Sequence, residues 1–334
     1  MSLRDMTLDE LMDEEERLQE LIEVDGYGYS SLISVYEAMI KRYRKEKERE
    51  AVAFVQRKVV KNLVNYGAYL KMGDVKRTRD AIDSLKKAIS LHNCLPIAHY
   101  RLGFLYSRHQ EYAASSSHFE KAIQLQDIAE EAYRLDERQL YYAHLYAINS
   151  SLHQAYEIYK KMDLLGLEGR YDPLGFEGLS DLYGRLLESD NYLEARAFVK
   201  VTNDGEGYCS KKECEAIVES PDPSQVILFF NDREIELFHG YRSTNLTYTQ
   251  ADVLRDLVLH SAKEPFDGWR LSKIRGRVDR SPINTVAQTI SRLRRQLAEV
   301  GLDEAIQYKN QKYVFEPSYV YTVLYRHDDR ASIQ

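Results

Sequence analysis

Cysteine is scarce in this chain, and long apolar runs are absent from it. The three cysteines among 334 residues, Cys94, Cys209 and Cys214, cannot form the framework of a disulfide-stapled domain. The longest purely apolar run covers residues 226–230, whereas a membrane-spanning helix needs about 20 such residues. Residues 1–5 also lack the basic and then apolar layout of a signal peptide. We therefore expect a soluble, cytoplasmic protein with no membrane partner.

The sequence patterns of familiar catalytic and metal sites are also missing. There is no phosphate-binding glycine loop, no His-Glu-x-x-His pair and no Gly-x-Ser-x-Gly turn. Cys209 and Cys214 have no histidine near them in the sequence, which argues against a zinc site. The sequence therefore predicts a protein that is not an enzyme and that binds no cofactor or metal. We interpret five histidines as packing or surface residues of helices: His99, His109, His118, His144 and His153.

Two domains are expected from a chain of 334 residues in which 44% are apolar. Residues 219–224 read Glu-Ser-Pro-Asp-Pro-Ser, and their two prolines favour an extended linker. Charge also divides along the chain, because residues 245–315 hold 12 Lys and Arg against 8 Asp and Glu, while the first 244 residues carry a net charge of −10. A basic region of this kind suits nucleic acid even though the whole chain has a net charge of −7.

Upstream of the linker, apolar residues recur with the period of a helix, and a degenerate repeat is visible. In its clearest copy, Leu-Gly-x-x-Tyr at residues 102–106 is followed by Ser115, Phe119 and Ala122. Weaker copies occur at 66–88, 146–162 and 186–199. Small residues at these positions let paired helices approach. The spacing resembles the tetratricopeptide repeat (TPR), which implies a TPR-like α-solenoid over residues 51–218 whose concave face binds a peptide or protein ligand.

Residues 1–50 are predicted to form N-terminal helices before this array. Thr7 and Glu10 have the spacing of a capping box, which begins a first helix that ends near Val24. A second helix begins near Ser31 and passes through the charged run 41–50, where mixed signs indicate a solvated helix face. The sequence leaves open whether this segment caps the array or forms a homodimer.

Residues 283–315 are the most informative part of the chain. Residues 283–297 predict a helix with one apolar stripe at i, i+4, i+7 and i+11: Val286, Ile290, Leu293 and Leu297. Its outer face is predicted to carry amide, hydroxyl and guanidinium groups: Gln288, Thr289, Ser291, Arg292 and Arg295. Such groups meet base edges in the major groove of DNA. Residues 307–315 then alternate like a β-hairpin with a turn at Asn310-Gln311.

Three motifs in this order resemble the winged-helix effector domain of OmpR/PhoB-type transcription regulators. They are Leu246-Thr247-Tyr248-Thr249-Gln250, Ile290-Ser-Arg-Leu-Arg-Arg-Gln-Leu297 and Lys309-Asn-Gln-Lys-Tyr313. Gln250 stands where the family has glutamate, and Asn310 and Lys312 replace two wing glycines. The resemblance covers about the last third of the chain. It implies a small α+β winged helix-turn-helix domain over residues 225–318, with a tail at 319–334.

Within this domain, the sequence predicts strands at 225–230 and 234–238 around a turn at Asn231-Asp232. Thr249 is predicted to cap a helix over 250–260, and a second helix is predicted over 271–277. The receiver module that precedes this domain in the family is not apparent, because the first 220 residues show no alternating strand and helix pattern. Control by aspartyl phosphorylation is therefore not expected.

The resemblance also implies the contacts with double-stranded DNA. By their places in the family's recognition helix, Gln288, Ser291 and Arg292 contact base edges. Phosphate contacts are implied for four residues: Thr285, Arg294, Lys309 and Lys312. The sequence leaves open whether Arg294 and Arg295 pair with an acid such as Glu299. From Trp269 to Arg295, eight basic residues stand against one acid, Asp279, which predicts an electrostatic footprint for phosphates.

We therefore expect a mostly α protein that regulates transcription, with a TPR-like sensory or oligomerising domain and a winged helix that reads the major groove. The alternative is a protein-interaction adaptor whose winged helix docks proteins, since this fold serves both purposes. The substituted wing and the net charge of −7 favour the adaptor, whereas the arginine-bearing helix favours DNA. Salt-dependent, sequence-selective DNA binding distinguishes the two.

Overall fold

Helices make up most of the chain, and strands are concentrated toward its C-terminal end. The computed structural model describes residues 3, 5–25, 28–71, 75–164, 177–231, 234–261, 266–274, 283–309, 312–316 and 318–326. The chain forms two compact units, one of residues 1–93, 199–207 and 212–334 and the other of residues 94–198 and 208–211. Within the described ranges, no helix combines the length and the apolar character that crossing a membrane requires.

The first unit opens with four helices: α1 (Leu8–Asp25), α2 (Tyr29–Glu46), α3 (Arg49–Lys71) and α4 (Val75–Leu91). The predicted capping box before α1 is confirmed, because the Glu10 amide donates to Thr7 Oγ1 and the Thr7 amide donates to Glu10 Oε2. The buried Glu15 carboxylate accepts from Lys58 Nζ at 2.7 Å and from the Tyr36 hydroxyl at 3.0 Å. These satisfied polar contacts join α1, α2 and α3.

The second unit contains α5 (Pro96–Arg108), α6 (Tyr112–Leu125), α7 (Glu137–Asp163) and α8 (Glu177–Ala195), with a short 3-10 turn at Glu131–Tyr133. Phe119 is fully buried, and its ring centroid lies 5.0 Å from that of Phe104 and 5.6 Å from that of Tyr146. These rings come from α5, α6 and α7, so they form a shared core. The stretch 51–218, which the sequence predicts as one array, is thus divided between the two units at residue 93.

In each of two helix pairs, α3–α4 and α5–α6, a glycine of the first helix lies close to a large side chain of the second. A Cβ on Gly103 would lie 2.8 Å from the Phe119 ring, and a Cβ on Gly67 would lie 2.7 Å from Leu85 Cγ. Both distances are too short for carbon atoms in a packed interior, so a side chain at either glycine would force the helices apart. The prediction that small residues let paired helices approach is confirmed at these two positions.

The buried His99 makes the stability of the second unit depend on pH. Its Nδ1 lies 2.9 Å from His118 Nδ1, and burial, aided by the charges of His118 and Lys121, lowers the pKa of His99 from 6.5 to about 4. The unfolded chain then binds more protons than the folded chain between those values, so the free energy of unfolding should fall as pH falls from 6.5 toward 4. Urea unfolding across this window, followed by helical circular dichroism, measures the effect.

The control for this pH dependence is an exposed histidine in the same unit. Replacement of His99 with glutamine should flatten the pH profile of the free energy of unfolding, whereas the same change at the exposed His109 should leave the profile as it is. Equal profiles for the two variants would contradict the assignment to His99.

One six-stranded sheet gathers strands from distant parts of the chain. The strands are β1 (Phe198–Thr202), β2 (Gly205–Cys209), β3 (Gln225–Phe230), β4 (Ile235–His239), β5 (Arg242–Leu246) and β8 (Val320–Arg326), in the order β2-β1-β8-β3-β4-β5. A short helix, α9 (Lys211–Glu219), follows β2. The antiparallel pairing of β3 with β4 confirms the two predicted strands. The turn predicted at Asn231-Asp232 lies partly outside the described residues, because Asp232 is not described.

Two boundaries predicted from the sequence need correction. The tail predicted from residue 319 is wrong for residues 320–326, because β8 lies between β1 and β3 and pairs parallel with β3, with Leu228 opposite Val323. Residues 198–209, predicted as part of the helical array, contain β1 and β2 instead. The β-branched and aromatic residues of β8 favour a strand, but its partners lie about a hundred residues away in sequence and are therefore not visible in a local pattern.

Three helices and a hairpin follow β5: α10 (Tyr248–His260), α11 (Gly268–Ile274), α12 (Ile283–Glu299), β6 (Ile306–Lys309) and β7 (Lys312–Phe315). The predicted N-cap Thr249 is wrong. Thr247 caps α10, because its hydroxyl accepts from the Gln250 amide while Gln250 Oε1 accepts from the Thr247 amide at 2.9 Å. This reciprocal box satisfies two amides, so the helix begins two residues earlier than predicted. The helix predicted over 271–277 corresponds to α11, and residues 275–277 lie outside the described residues.

Candidate nucleic-acid interface

Helix α12 separates its side chains into a buried face and an exposed face. The predicted apolar stripe is buried in the domain core, as expected: Val286, Ile290, Leu293 and Leu297. The exposed face contains Gln288, Ser291, Arg292 and Arg295. The predicted exposure of Thr289 is wrong, because this residue is buried and its hydroxyl donates to the Thr285 carbonyl at 2.8 Å. Thr289 follows Val286 by three residues, which places it on the side of the stripe. Thr285 itself is half-buried.

The hairpin β6–β7 brings two of the predicted phosphate contacts together. Lys309 lies opposite Lys312 in the strand register, and both side chains are exposed. Lys309 Nζ also lies 3.4 Å from Glu316 Oε2, so part of its charge is offset. The predicted turn residues Asn310 and Gln311 lie outside the described residues. Two lysines at one end of a hairpin supply the positive charge that phosphate groups attract.

Arg294 departs from its predicted role as a phosphate contact. Its Nε and Nη2 both donate to the Ile306 carbonyl, at 3.1 and 2.7 Å, and its guanidinium carbon lies 5.8 Å from the Tyr313 ring centroid. Tyr313 in turn pairs with Phe266 through a β-bridge. Because these contacts are inside the domain, Arg294 fixes the position of the hairpin beside α12. We therefore correct its assignment from a phosphate contact to a positioning residue.

Arg292 and Arg295 leave two guanidinium groups exposed on α12. The acid that the sequence suggested as a partner, Glu299, accepts a hydrogen bond from Thr244 at 2.6 Å. Within the described part of the chain, no carboxylate forms an ion pair with Arg292 or Arg295. Both charges are thus accessible to an anionic partner, and they stand on the same face as Gln288 and Ser291.

The predicted basic stretch between Trp269 and Arg295 is described only in part. Arg270 Nε lies 3.0 Å from Asp256 Oδ2, so its charge is offset inside the domain. Burial raises the pKa of Asp256, and the neighbouring Arg270 opposes that rise. Four charged residues of the stretch and the side chain of a fifth lie outside the described residues: Arg275, Arg277, Asp279, Arg280 and Lys273. The described cations of this interface are therefore those of α12 and of the hairpin end.

A stacked arginine that holds α10 on the sheet was missed from the sequence. Arg255 Nη2 lies 2.6 Å from Asp252 Oδ1, and its guanidinium carbon lies 5.1 Å from the Phe230 ring and 5.4 Å from the Tyr325 ring. The spacing of Asp252 and Arg255 at i and i+3 was the available signal for the ion pair. The ring contacts had no local signal, because both rings belong to distant strands.

Trp269, the only tryptophan of the chain, lies at the start of α11 with 56% of its surface exposed.

Comparison of the chain with models of protein families, with curated proteins and with solved structures gave no match. The geometry of α12 and the hairpin is therefore what bears on function.

Proposed function

We propose that this protein is a DNA-binding transcription regulator of the cytoplasm. In this proposal α10, α11, α12 and the hairpin form a winged helix-turn-helix domain of the OmpR/PhoB type. α12 enters the major groove of double-stranded DNA as the recognition helix, and β6–β7 lies along the phosphates as the wing. The helices upstream act as a TPR-like sensory or oligomerising array.

The observation that carries this proposal is the exposed polar face of α12 opposite its buried apolar stripe. Arg292 presents a forked donor that suits the two acceptors of guanine, and Gln288 presents the amide that pairs with adenine. Ser291 adds a hydroxyl on the same face. Thr285, Lys309 and Lys312 are proposed to hold phosphates on either side, with Arg295 in place of Arg294 as the second guanidinium.

The repeated contact of a glycine with a large side chain in α3–α4 and in α5–α6 supports a TPR-like array. Arrays of this kind offer a concave face to an extended peptide or a partner protein, and we propose that such a partner changes how the winged helix meets DNA. The N-terminal helices are proposed either to cap the array or to form a homodimer.

The second candidate function is a non-enzymatic adaptor whose winged helix docks a protein. It is favoured by two exposed aromatic residues, Trp269 on α11 and Tyr308 on β6, at 56% and 57% exposure. Exposed aromatic side chains are enriched where proteins bind one another. The unpaired guanidinium groups of α12 favour DNA over this alternative.

Selection of bound duplexes from a random DNA pool by the full-length protein tests the proposal. We expect one enriched motif, and we expect the affinity for it to fall steeply with salt. Two spaced half-sites in the motif would show that the protein binds as a dimer. Absence of any enriched motif would overturn DNA recognition and leave the adaptor as the better interpretation.

Replacement of Lys312 with alanine should weaken binding to all DNA sequences by a similar factor. Because a phosphate contact carries no base information, the slope of log affinity against log salt should become shallower by about 1. Fluorescence titrations with selected and scrambled duplexes at several salt concentrations measure both quantities. The matched control is Lys121→Ala, which removes an exposed lysine of α6. A loss confined to the selected duplex would contradict the phosphate assignment.

A further inference from the structure

Five side chains of the second unit form a group that we call the tyrosine–arginine cluster: Tyr141, Tyr142, Tyr192, Arg196 and Tyr208. The first two lie on α7, the third lies on α8, the arginine follows the end of α8, and Tyr208 lies on β2. Tyr142 is buried, but the other three rings are 53%, 37% and 45% exposed in chain order. Three exposed aromatic rings at one place are an uncommon surface for a folded protein, and such surfaces mark binding sites.

The tyrosine hydroxyls of the cluster are linked in pairs. The hydroxyl oxygens of Tyr141 and Tyr192 lie 3.4 Å apart. Burial raises the pKa of Tyr142, and a hydrogen bond between its hydroxyl and that of Tyr208 adds to the rise. Because a hydroxyl has one hydrogen, a hydrogen-bonded pair of hydroxyls uses one hydrogen and keeps the other for a further acceptor. The exposed hydroxyls of the cluster therefore offer hydrogen-bond donors at the surface.

Arg196 adds a guanidinium group to these donors. Its guanidinium carbon lies 3.9 Å from the Tyr192 ring centroid, which is the geometry of a cation stacked on an aromatic face. The hydrogen bond with Tyr192 raises the pKa of Tyr141, and the charge of Arg196 opposes that rise, so the guanidinium acts on both hydroxyl-paired rings. Within the described residues, no carboxylate forms an ion pair with Arg196.

A purely structural role explains only part of this arrangement. A cation just past the end of α8 interacts favourably with the helix dipole, which accounts for an arginine at that place. It does not account for the three exposed tyrosine rings beside it. A stacked guanidinium is held in one orientation with its N–H edge accessible, which is how arginine binds phosphate and carboxylate groups.

We propose that the tyrosine–arginine cluster binds a small organic oxyanion, namely a phosphate or carboxylate attached to a planar or apolar group. Arg196 and the hydroxyls of Tyr192 and Tyr208 receive the oxygen atoms, and the exposed tyrosine rings cover the apolar group. The part of this inference that makes the ligand a signal for DNA binding rests on the proposed function. Binding of the ligand does not depend on it.

Calorimetric titration of the full-length protein without DNA tests the site. Phenyl phosphate, benzoate and inorganic phosphate serve as probes, so that the oxyanion and the ring are varied separately. We expect saturable binding of phenyl phosphate or benzoate and weaker binding of inorganic phosphate, which lacks the ring. Replacement of Arg196 with glutamine should weaken binding about tenfold or more, since a charge-assisted pair of hydrogen bonds is lost.

Arg185→Gln is the matched control, because it removes an exposed arginine of α8 that pairs with Asp181 outside the cluster. Binding should be unchanged in this variant, while Tyr192→Leu should weaken binding with the helical circular dichroism preserved. No saturable binding of any probe, or equal losses in Arg196→Gln and Arg185→Gln, would overturn the site. Binding that leaves DNA affinity unchanged, as followed by Trp269 fluorescence, would remove the regulatory part alone.

Discussion

Arg292→Ala should abolish preference at one base step while leaving binding to scrambled DNA nearly unchanged. The Arg292 side chain is exposed on α12 and no described carboxylate pairs with it, so its forked donors are available for a base edge. Loss of such a contact costs about 1–3 kcal/mol, or about 5- to 150-fold in affinity. Repeated selection from the random pool, followed by titrations of single-base variants of the motif, measures the change.

The matched control for this experiment is Arg295→Ala, on the same exposed face of α12. If Arg295 contacts phosphate, its removal should weaken all duplexes together and leave the selected motif intact. The same base preference in Arg292→Ala as in the parent protein would contradict the assignment of Arg292 to a base edge. A loss of preference in the Arg295 variant instead would exchange the two roles.

Phe119→Ala should lower the free energy of unfolding of the second unit by about 3–5 kcal/mol. The ring is fully buried, it makes edge contacts with Phe104 at 5.0 Å between centroids, and it fills the space left by the absent side chain of Gly103. Its removal leaves a cavity between two helices that cannot close without moving both, so the loss exceeds that of simple transfer to water. Urea unfolding followed by helical circular dichroism measures the change.

The control for the Phe119 experiment is Phe54→Ala, since Phe54 is 53% exposed on α3. This variant should lose about 1 kcal/mol or less, because little buried surface is removed. Trp269 fluorescence reports the C-terminal part of the chain separately, and its transition should keep its midpoint in the Phe119 variant. Equal losses for the two phenylalanines would contradict the packing role that we assign to Phe119.

Local spacing predicted the elements whose causes lie within a few residues. The apolar stripe of α12, from Val286 to Leu297, was predictable because a helix places every third or fourth residue on one face. The capping box of Thr7 and Glu10 was predictable for the same reason, because both hydrogen bonds span three residues. Thr247 and Gln250 form a capping box of the same kind at the start of α10. The predicted start of this helix was wrong because Thr249, two residues later, was chosen as its cap.

Contacts between distant residues were not predictable in this way. Arg294 reads in the sequence as one more basic residue of a recognition helix, but the Ile306 carbonyl that binds it belongs to a strand whose position follows only from the fold. The exposure of the neighbouring Arg292 and Arg295 depends on the same packing. The sequence thus predicted the residue types of the candidate interface. The fold decided that Arg292 and Arg295 are exposed and that Arg294 positions the hairpin.

By itself the sequence determined the periodic features of this protein: the helical character of its first part, the core face of α12, and the close contacts at Gly67 and Gly103. Only the tertiary structure decided the central place of β8, the internal contacts of Arg294 and the grouping of four tyrosines around Arg196. The physical reason is distance along the chain. A helix face is fixed by neighbours within a turn, whereas strand order and side-chain clusters depend on which distant segments bury each other.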